Sequence, residues 1–237
     1  MRQLALLAAV LAVAGCGGGN DEDPLVVFAA SSLSGVVDEI DPDAQLVFGG
    51  SKDLAAQIRD GANAGVFLSA SAKPVDELRD QGLVGAPTVF ASNRLVIVVP
   101  AKNEADITHI VDLTRAGVKL VLGAEGVPIG DYARESLELA GLGAALENVV
   151  SLEDDVKGVV GKVALGEADA GIVYATDLVA AGDNVLSFPI SDYFQPKIRY
   201  YAAIVSPGSD AAERYLDKLL GTDGQAALRS AGFPSPP

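Results

Sequence analysis

What the chain is short of narrows its chemistry first. Its 237 residues contain one cysteine, one histidine, one methionine and no tryptophan, and aromatic residues make up 5%. The single cysteine, Cys16, excludes disulfides, a thiol catalyst further along the chain and cysteine-based metal sites. With His109 as the only imidazole, Ser-His-Asp and Cys-His catalysis and the usual zinc sites are out of reach. Bases are scarce as well: 17 Lys+Arg stand against 32 Asp+Glu, a formal net charge of −15. Such a field repels nucleic acid and anionic membrane surfaces, so neither is expected as a partner. Taken alone it also disfavours anionic ligands.

What is present is a globular chain. A hydrophobic fraction of 49% with 21% charged residues excludes a disordered or collagen-like polymer, and the length suits one or two domains. Residues 1–16 (MRQLALLAAVLAVAGC) place Arg2 ahead of an apolar run over 4–14. That run is shorter than the ~20 residues a membrane-spanning helix needs. The pattern reads as a signal peptide over 1–15, and Val13-Ala14-Gly15-Cys16 resembles the lipobox of bacterial lipoproteins. The expectation is a lipidated Cys16, a Gly-rich acidic tether over 16–24, and an extracytoplasmic, membrane-anchored monomer.

The body alternates strand and helix patterns. Short β-branched runs at 25–29, 45–48, 66–68, 95–99, 118–122, 170–174, 185–188 and 198–205 read as strands. Between them, helical spacing predicts helices over 33–40, 52–60, 74–81 and 129–140, another opened by Asp154 and Asp155, and a last one carrying Ala212, Tyr215, Leu216 and Leu219. This is an α/β pattern with mostly parallel sheets, and the strand count on either side of residue 95 suggests two lobes. In such folds ligands sit beyond the carboxyl ends of strands.

Catalytic signatures are missing. There is no Ser-x-x-Lys, and the GVVGKV stretch at 158–163 lacks the Ser/Thr that a phosphate-binding loop places after its Lys. An enzyme is not expected. What remains are small hydroxyl or glycine residues at strand–helix junctions: Ser31-Ser32, Gly50-Ser51, Pro128-Ile129-Gly130 and Asp155-Val156. Helix N-termini offer unpaired N–H groups and partial positive charge, so several converging would hold an anion without Lys or Arg. On spacing alone, Ser32 and Ser51 fit equally well as plain helix caps.

Six stretches then carry a resemblance: FAASSL (28–33), FGGSKDLAAQI (48–58), VFLSAS (66–71), GVPIGDYARESL (126–137), EDDVKGVVGKVALGEADAGIVYATD (153–177) and AGF (231–233). Together they resemble the molybdate-binding proteins, the solute-binding subunits of molybdate ABC transporters. The resemblance implies a two-lobed periplasmic-binding-protein fold of type II, with the ligand cleft between lobes formed by 25–91 plus 198–237 and by 92–197. It implies capture of molybdate and tungstate as oxyanions, with no cofactor and no directly coordinated metal, and delivery to an ABC transporter permease. By motif, the ligand contacts are Ser32 and Ser51 through hydroxyl and N–H, Ile129 (often Ala in the family) and Val156 through backbone N–H, and Tyr174 through its phenol. Other readings are a same-fold binder of sulfate or another small anion, and a lipid-anchored enzyme or adhesion module.

Overall fold

The computed structural model describes residues 24–236, apart from the side chains of Val179 and Ala180. The signal peptide, Cys16 and all of the tether but Pro24 lie outside the described residues. In chain order the elements are β1 (Val26–Ala30), β2 (Gln45–Gly49), α1 (Ser51–Arg59), β3 (Val66–Ser69), α2 (Ala72–Asp80), β4 (Thr88–Asn93), β5 (Leu95–Pro100), β6 (Leu120–Gly123) and α3 (Pro128–Leu139). Then follow β7 (Val149–Glu153), α4 (Val156–Ala164), β8 (Ala170–Tyr174), α5 (Leu178–Ala181), β9 (Val185–Pro189), β10 (Ile198–Ile204), α6 (Asp210–Leu220) and α7 (Thr222–Ser230). Among the described residues no helix is long and apolar enough to cross a membrane.

The strands form two five-stranded sheets, ordered β2-β1-β3-β10-β4 and β7-β6-β8-β5-β9. The architecture is α/β and two-lobed. The sheets are mixed, however, where the strand–helix alternation predicts mostly parallel ones. In the first, β1 runs parallel to β2 and β3, while β10 runs antiparallel to β3 and β4. The second repeats that pattern, with β6 parallel to β7 and β8, and β5 antiparallel to β8 and β9. The strands that follow the two passages between sheets, β5 and β10, are the ones antiparallel to both of their neighbours: the chain passes from β4 into β5 through Arg94 alone and returns between β9 and β10.

The helix expected over 33–40 is two short 3-10 turns, Ser31–Leu33 and Val37–Glu39. Gly35 separates them at φ +92°, a conformation that breaks a right-handed helix. Val36, Val37 and Ile40 are nevertheless buried, as their spacing predicts. Four of the elements named above have no counterpart in the sequence reading: β4, the edge strand β7, the short helix α5 and α7. One buried apolar cluster runs through both sheets, and a second sits under α1 and α2.

All six parallel strands finish at one place. The end of β1 at Ala30, the end of β2 at Gly49 and Ala70 just past β3 come from the first sheet. Val127 beyond β6, Asp155 beyond β7 and Tyr174 at the end of β8 come from the second. They line a single cavity between the lobes, at the carboxyl ends of strands where ligands sit in open α/β sheets.

Candidate functional site

The cavity is small, about 10 Å³, and the structure brings all five sequence-predicted residues to it: Ser32, Ser51, Ile129, Val156 and Tyr174. Its remaining lining is Ala30, Ser31, Gly49, Gly50, Ala70, Val127, Pro128 and Asp155. No Lys or Arg reaches it. A larger groove of about 410 Å³ lies at the opposite end of the second sheet, lined by Lys102, Leu165 and Asp183 among others, and has no comparable convergence of helix starts.

Neither serine is a helix cap. Ser32 lies inside the first 3-10 turn, whose N-cap is Ala30, and its Oγ is 2.9 Å from Tyr200 OH. Ser51 is the first residue of α1, behind the N-cap Gly50, and its Oγ accepts a hydrogen bond from Ala70 N–H at 3.0 Å. Each hydroxyl oxygen is thus held by a neighbour from another segment: Tyr200 of β10, and Ala70 just past β3. Both serines are buried. The plain capping role that spacing allowed is therefore set aside.

The second sheet contributes two helix starts. Pro128 opens α3 at a position whose missing N–H costs nothing, leaving the Ile129 and Gly130 N–H groups in the first turn without i−4 partners. The Ile129 side chain packs against Gly123 of β6, and the residue lines the cavity. Asp155 caps α4, its Oδ1 accepting from Gly158 N–H at 2.9 Å. The one carboxylate among the described lining residues thus gives one of its oxygens to its own helix, and Val156 N–H begins the first turn. Arg134 turns its guanidinium away, donating to the carbonyls of Gly123 and Gly130 at 2.9 and 2.8 Å.

Tyr174 is the most telling side chain. It is 1% exposed, and its hydroxyl has no hydrogen-bond partner. Burial, then the neighbouring Tyr200 and Tyr132, push its pKa well above the ordinary value, so the phenol keeps its proton and can only act as a neutral group. Its ring is held between Tyr132 and Tyr200, with centroids at 6.5 and 5.9 Å. Just beyond it, buried Asp177 pairs with Lys157 of α4 at 3.2 Å, tying the end of β8 to the start of α4. Burial nevertheless raises that carboxyl to about 6.

The lobes meet around the cavity. A Cβ on Gly50 would stand 2.3 Å from the Asp154 carbonyl oxygen, so the two backbones are in direct contact. Lys52 Nζ donates to the Glu125 carbonyl at 3.3 Å, and Asn93 Nδ2 donates to Thr176 Oγ1 at 2.9 Å. The cleft is closed. Of the residues that support the two serines, Ala70 lies within the VFLSAS stretch, but Asn93 and Tyr200 belong to no motif: Tyr200 reads as a core aromatic of an apolar strand, and nothing local marks Asn93.

No group of three or more His, Cys, Asp or Glu that could hold a metal occurs among the described residues. His109 is exposed and precedes the 3-10 helix Ile110–Thr114.

Two α/β lobes closed over a cavity lined by strand ends and helix starts define a two-lobed solute-binding protein. The chain belongs to the bacterial extracellular solute-binding protein family, whose model matches residues 25–234. It is 33% identical over 224 residues to the molybdate-binding protein ModA of Mycobacterium tuberculosis (strain ATCC 25618 / H37Rv), covering 90% of this chain and 85% of that protein. Among solved structures, the substrate-binding domain of a putative molybdenum ABC transporter from Clostridium difficile is 29% identical, with a TM-score of 0.65 and coverage of 90% of this chain and 98% of that one. The Azotobacter vinelandii periplasmic molybdate-binding protein shares the fold at a TM-score of 0.78 and 23% identity, over 90% of this chain and 100% of that one.

Proposed function

We propose that the cavity captures molybdate, and tungstate with it, as the solute-binding subunit of an ABC transporter. Ser32 and Ser51 would donate through hydroxyl and N–H, Ile129 and Val156 through N–H, and Tyr174 through its phenol. The observation that carries this reading is the Tyr174 hydroxyl, buried without a partner beside a cavity that presents donors. An unsatisfied buried polar group costs about 1–3 kcal/mol, and an oxyanion would remove that cost. The 33% identity to a molybdate-binding protein over most of both chains supports the choice of ligand.

A lining rich in donors suits a fully deprotonated dianion. Monohydrogen phosphate brings a proton that would need an acceptor, and among the described lining residues the one carboxylate for it is Asp155, whose Oδ1 already accepts from Gly158 N–H. The net charge of −15 does not oppose this, because its field fades over about 10 Å at ordinary salt. Its remaining effect is to slow the approach of the anion in a salt-sensitive way.

The same proposal divides the chain into a lobe of 25–91 plus 198–237 and a lobe of 92–197, hinged where the chain changes sheets. Closure of the lobes would present the loaded surface to a permease. Cys16 would carry the lipid, the segment 16–24 the tether, and the folded body would act as a monomer outside the cytoplasm.

A thermal-shift panel of molybdate, tungstate, sulfate and phosphate tests the ligand. Ligand at 100 times its dissociation constant stabilises the folded protein by about 2.7 kcal/mol, so the ranking of shifts reports selectivity. Molybdate and tungstate are expected to give the largest shifts and phosphate the smallest. A panel led by phosphate, or without any shift, would overturn the assignment.

Tyr174→Phe separates the two consequences of the orphan hydroxyl. The unliganded variant is expected to melt at or above the temperature of the parent, because an unsatisfied buried group is gone. Its molybdate affinity is expected to fall at least tenfold, since a hydrogen bond to a charged group contributes about 1.5–3 kcal/mol. Unchanged affinity by calorimetry would remove Tyr174 from the site.

A further inference from the structure

Behind Ser32 stands a short chain of buried polar groups whose donor and acceptor roles can be worked out. Ser32 Oγ and Tyr200 OH are 2.9 Å apart, and by distance alone either could donate. The next neighbour decides it. Asn93 Nδ2 lies 3.2 Å from Tyr200 OH and 2.9 Å from Thr176 Oγ1, while Asn93 Oδ1 accepts from Arg94 N–H at 2.9 Å. A main-chain N–H can only donate, so it fixes which amide atom is oxygen and turns the NH2 toward Tyr200. That NH2 in turn can only donate, so Tyr200 OH accepts from it and gives its own hydrogen to Ser32 Oγ. Burial pushes the Tyr200 pKa up, which keeps that hydrogen in place.

We propose that Tyr200, set by Asn93, is a positioning residue that aims the Ser32 hydroxyl hydrogen into the cavity. The inference deepens the proposed function and rests on its reading that an oxyanion binds there. Once Ser32 Oγ accepts from Tyr200, its hydrogen is left to point at the ligand. The hydroxyl is then a committed donor before any ligand arrives, and no orientational freedom is lost on binding. Ser51 is arranged in the same sense, since its Oγ accepts from Ala70 N–H. The two differ in what holds the orienting group. Ala70, just past β3, and Ser51, which opens α1 just past β2, both follow strands of one sheet, whereas Asn93, the last residue of β4, is gripped by Thr176 just past β8 of the other sheet. Orientation of Ser32 is therefore tied to the junction between the lobes.

A double-mutant cycle tests this, with molybdate titrated calorimetrically into wild type, Ser32→Ala, Tyr200→Phe and the double variant. If Tyr200 acts through Ser32, Tyr200→Phe weakens binding about five- to tenfold in the wild-type background and has no effect in the Ser32→Ala background. A second variant, Asn93→Asp, keeps an acceptor for Arg94 N–H but offers Tyr200 an acceptor in place of a donor. It reverses the chain, and is expected to weaken the wild type by a larger factor than it weakens Ser32→Ala, which isolates orientation from the added charge. Losses that simply multiply in both cycles, or a Tyr200→Phe protein with wild-type affinity, overturn the role of Tyr200 while leaving molybdate binding standing. A wild type with no molybdate affinity overturns the ligand assignment itself, and this inference with it.

Discussion

Replacing Ser32 and Ser51 together by alanine is expected to abolish measurable molybdate binding while leaving a cooperatively folded protein. Each hydroxyl would donate to a dianion, and a hydrogen bond to a charged group contributes about 1.5–3 kcal/mol. Losing both amounts to about 3–6 kcal/mol, or a factor of about 10² to 10⁴ in affinity. The fold survives because neither side chain fills much of the core, although two supporting groups lose their partners. Tyr200 OH retains Asn93, but Ala70 N–H loses the serine oxygen it donates to. A modest drop in the melting temperature of the unliganded variant is therefore part of the expectation. Calorimetry returning parental affinity for the double variant would remove both serines from the ligand shell.

The second large effect is expected from a residue that offers the ligand no side chain. Gly50→Ala places a methyl group where the Asp154 carbonyl oxygen stands, at 2.3 Å, well inside any real Cβ contact. Asp154 is main chain at the entrance to α4 and cannot swing away as a flexible side chain would. The backbone of Gly50 itself is ordinary, at φ −63° and ψ 134°, so alanine is tolerated by its own lobe. The substitution thus leaves each lobe intact and obstructs only their approach. Ser32 and Ser51 would then no longer reach the same anion as Ile129, Val156 and Tyr174. Loss of two donors to charge gives about a hundredfold weaker binding or more. Small-angle scattering with saturating molybdate is expected to show the parent compacting and Gly50→Ala remaining open. A variant that compacts and binds like the parent would show that the Gly50–Asp154 contact does not govern closure.

Legibility varied along the chain for physical reasons. Strands buried on both faces, such as β1, β5 and β8, announce themselves as unbroken apolar runs. The edge strand β7 alternates partly buried and exposed residues and carries no such signal. β4 was hidden because only Arg94 separates it from β5, leaving no turn to read. The helix expected over 33–40 failed at Gly35, where apolar spacing was honoured by two 3-10 turns instead. At the site, all five residues named from motif reach the cavity. Spacing could not say whether the serines cap helices or face a ligand, because both roles place a hydroxyl at a strand–helix junction. The hydrogen bonds to Tyr200 and Ala70 show that neither hydroxyl caps a helix, and the first of them joins residues 168 positions apart.

By itself, then, the sequence determined that the body is α/β, and it offered hydroxyls and helix starts at strand–helix junctions, with a single histidine and a single cysteine, as the material from which a site could be built. Those are local matters, set by composition and by the spacing of apolar and capping residues. Only the tertiary structure decided that six strand ends meet at one cavity, that β5 and β10 run antiparallel, and that Tyr174 is buried without a partner. It also joined Asn93, Tyr200 and Ser32 into one polar chain. Each of these depends on contacts between residues tens to more than a hundred positions apart, and such pairings leave no trace in any window of sequence.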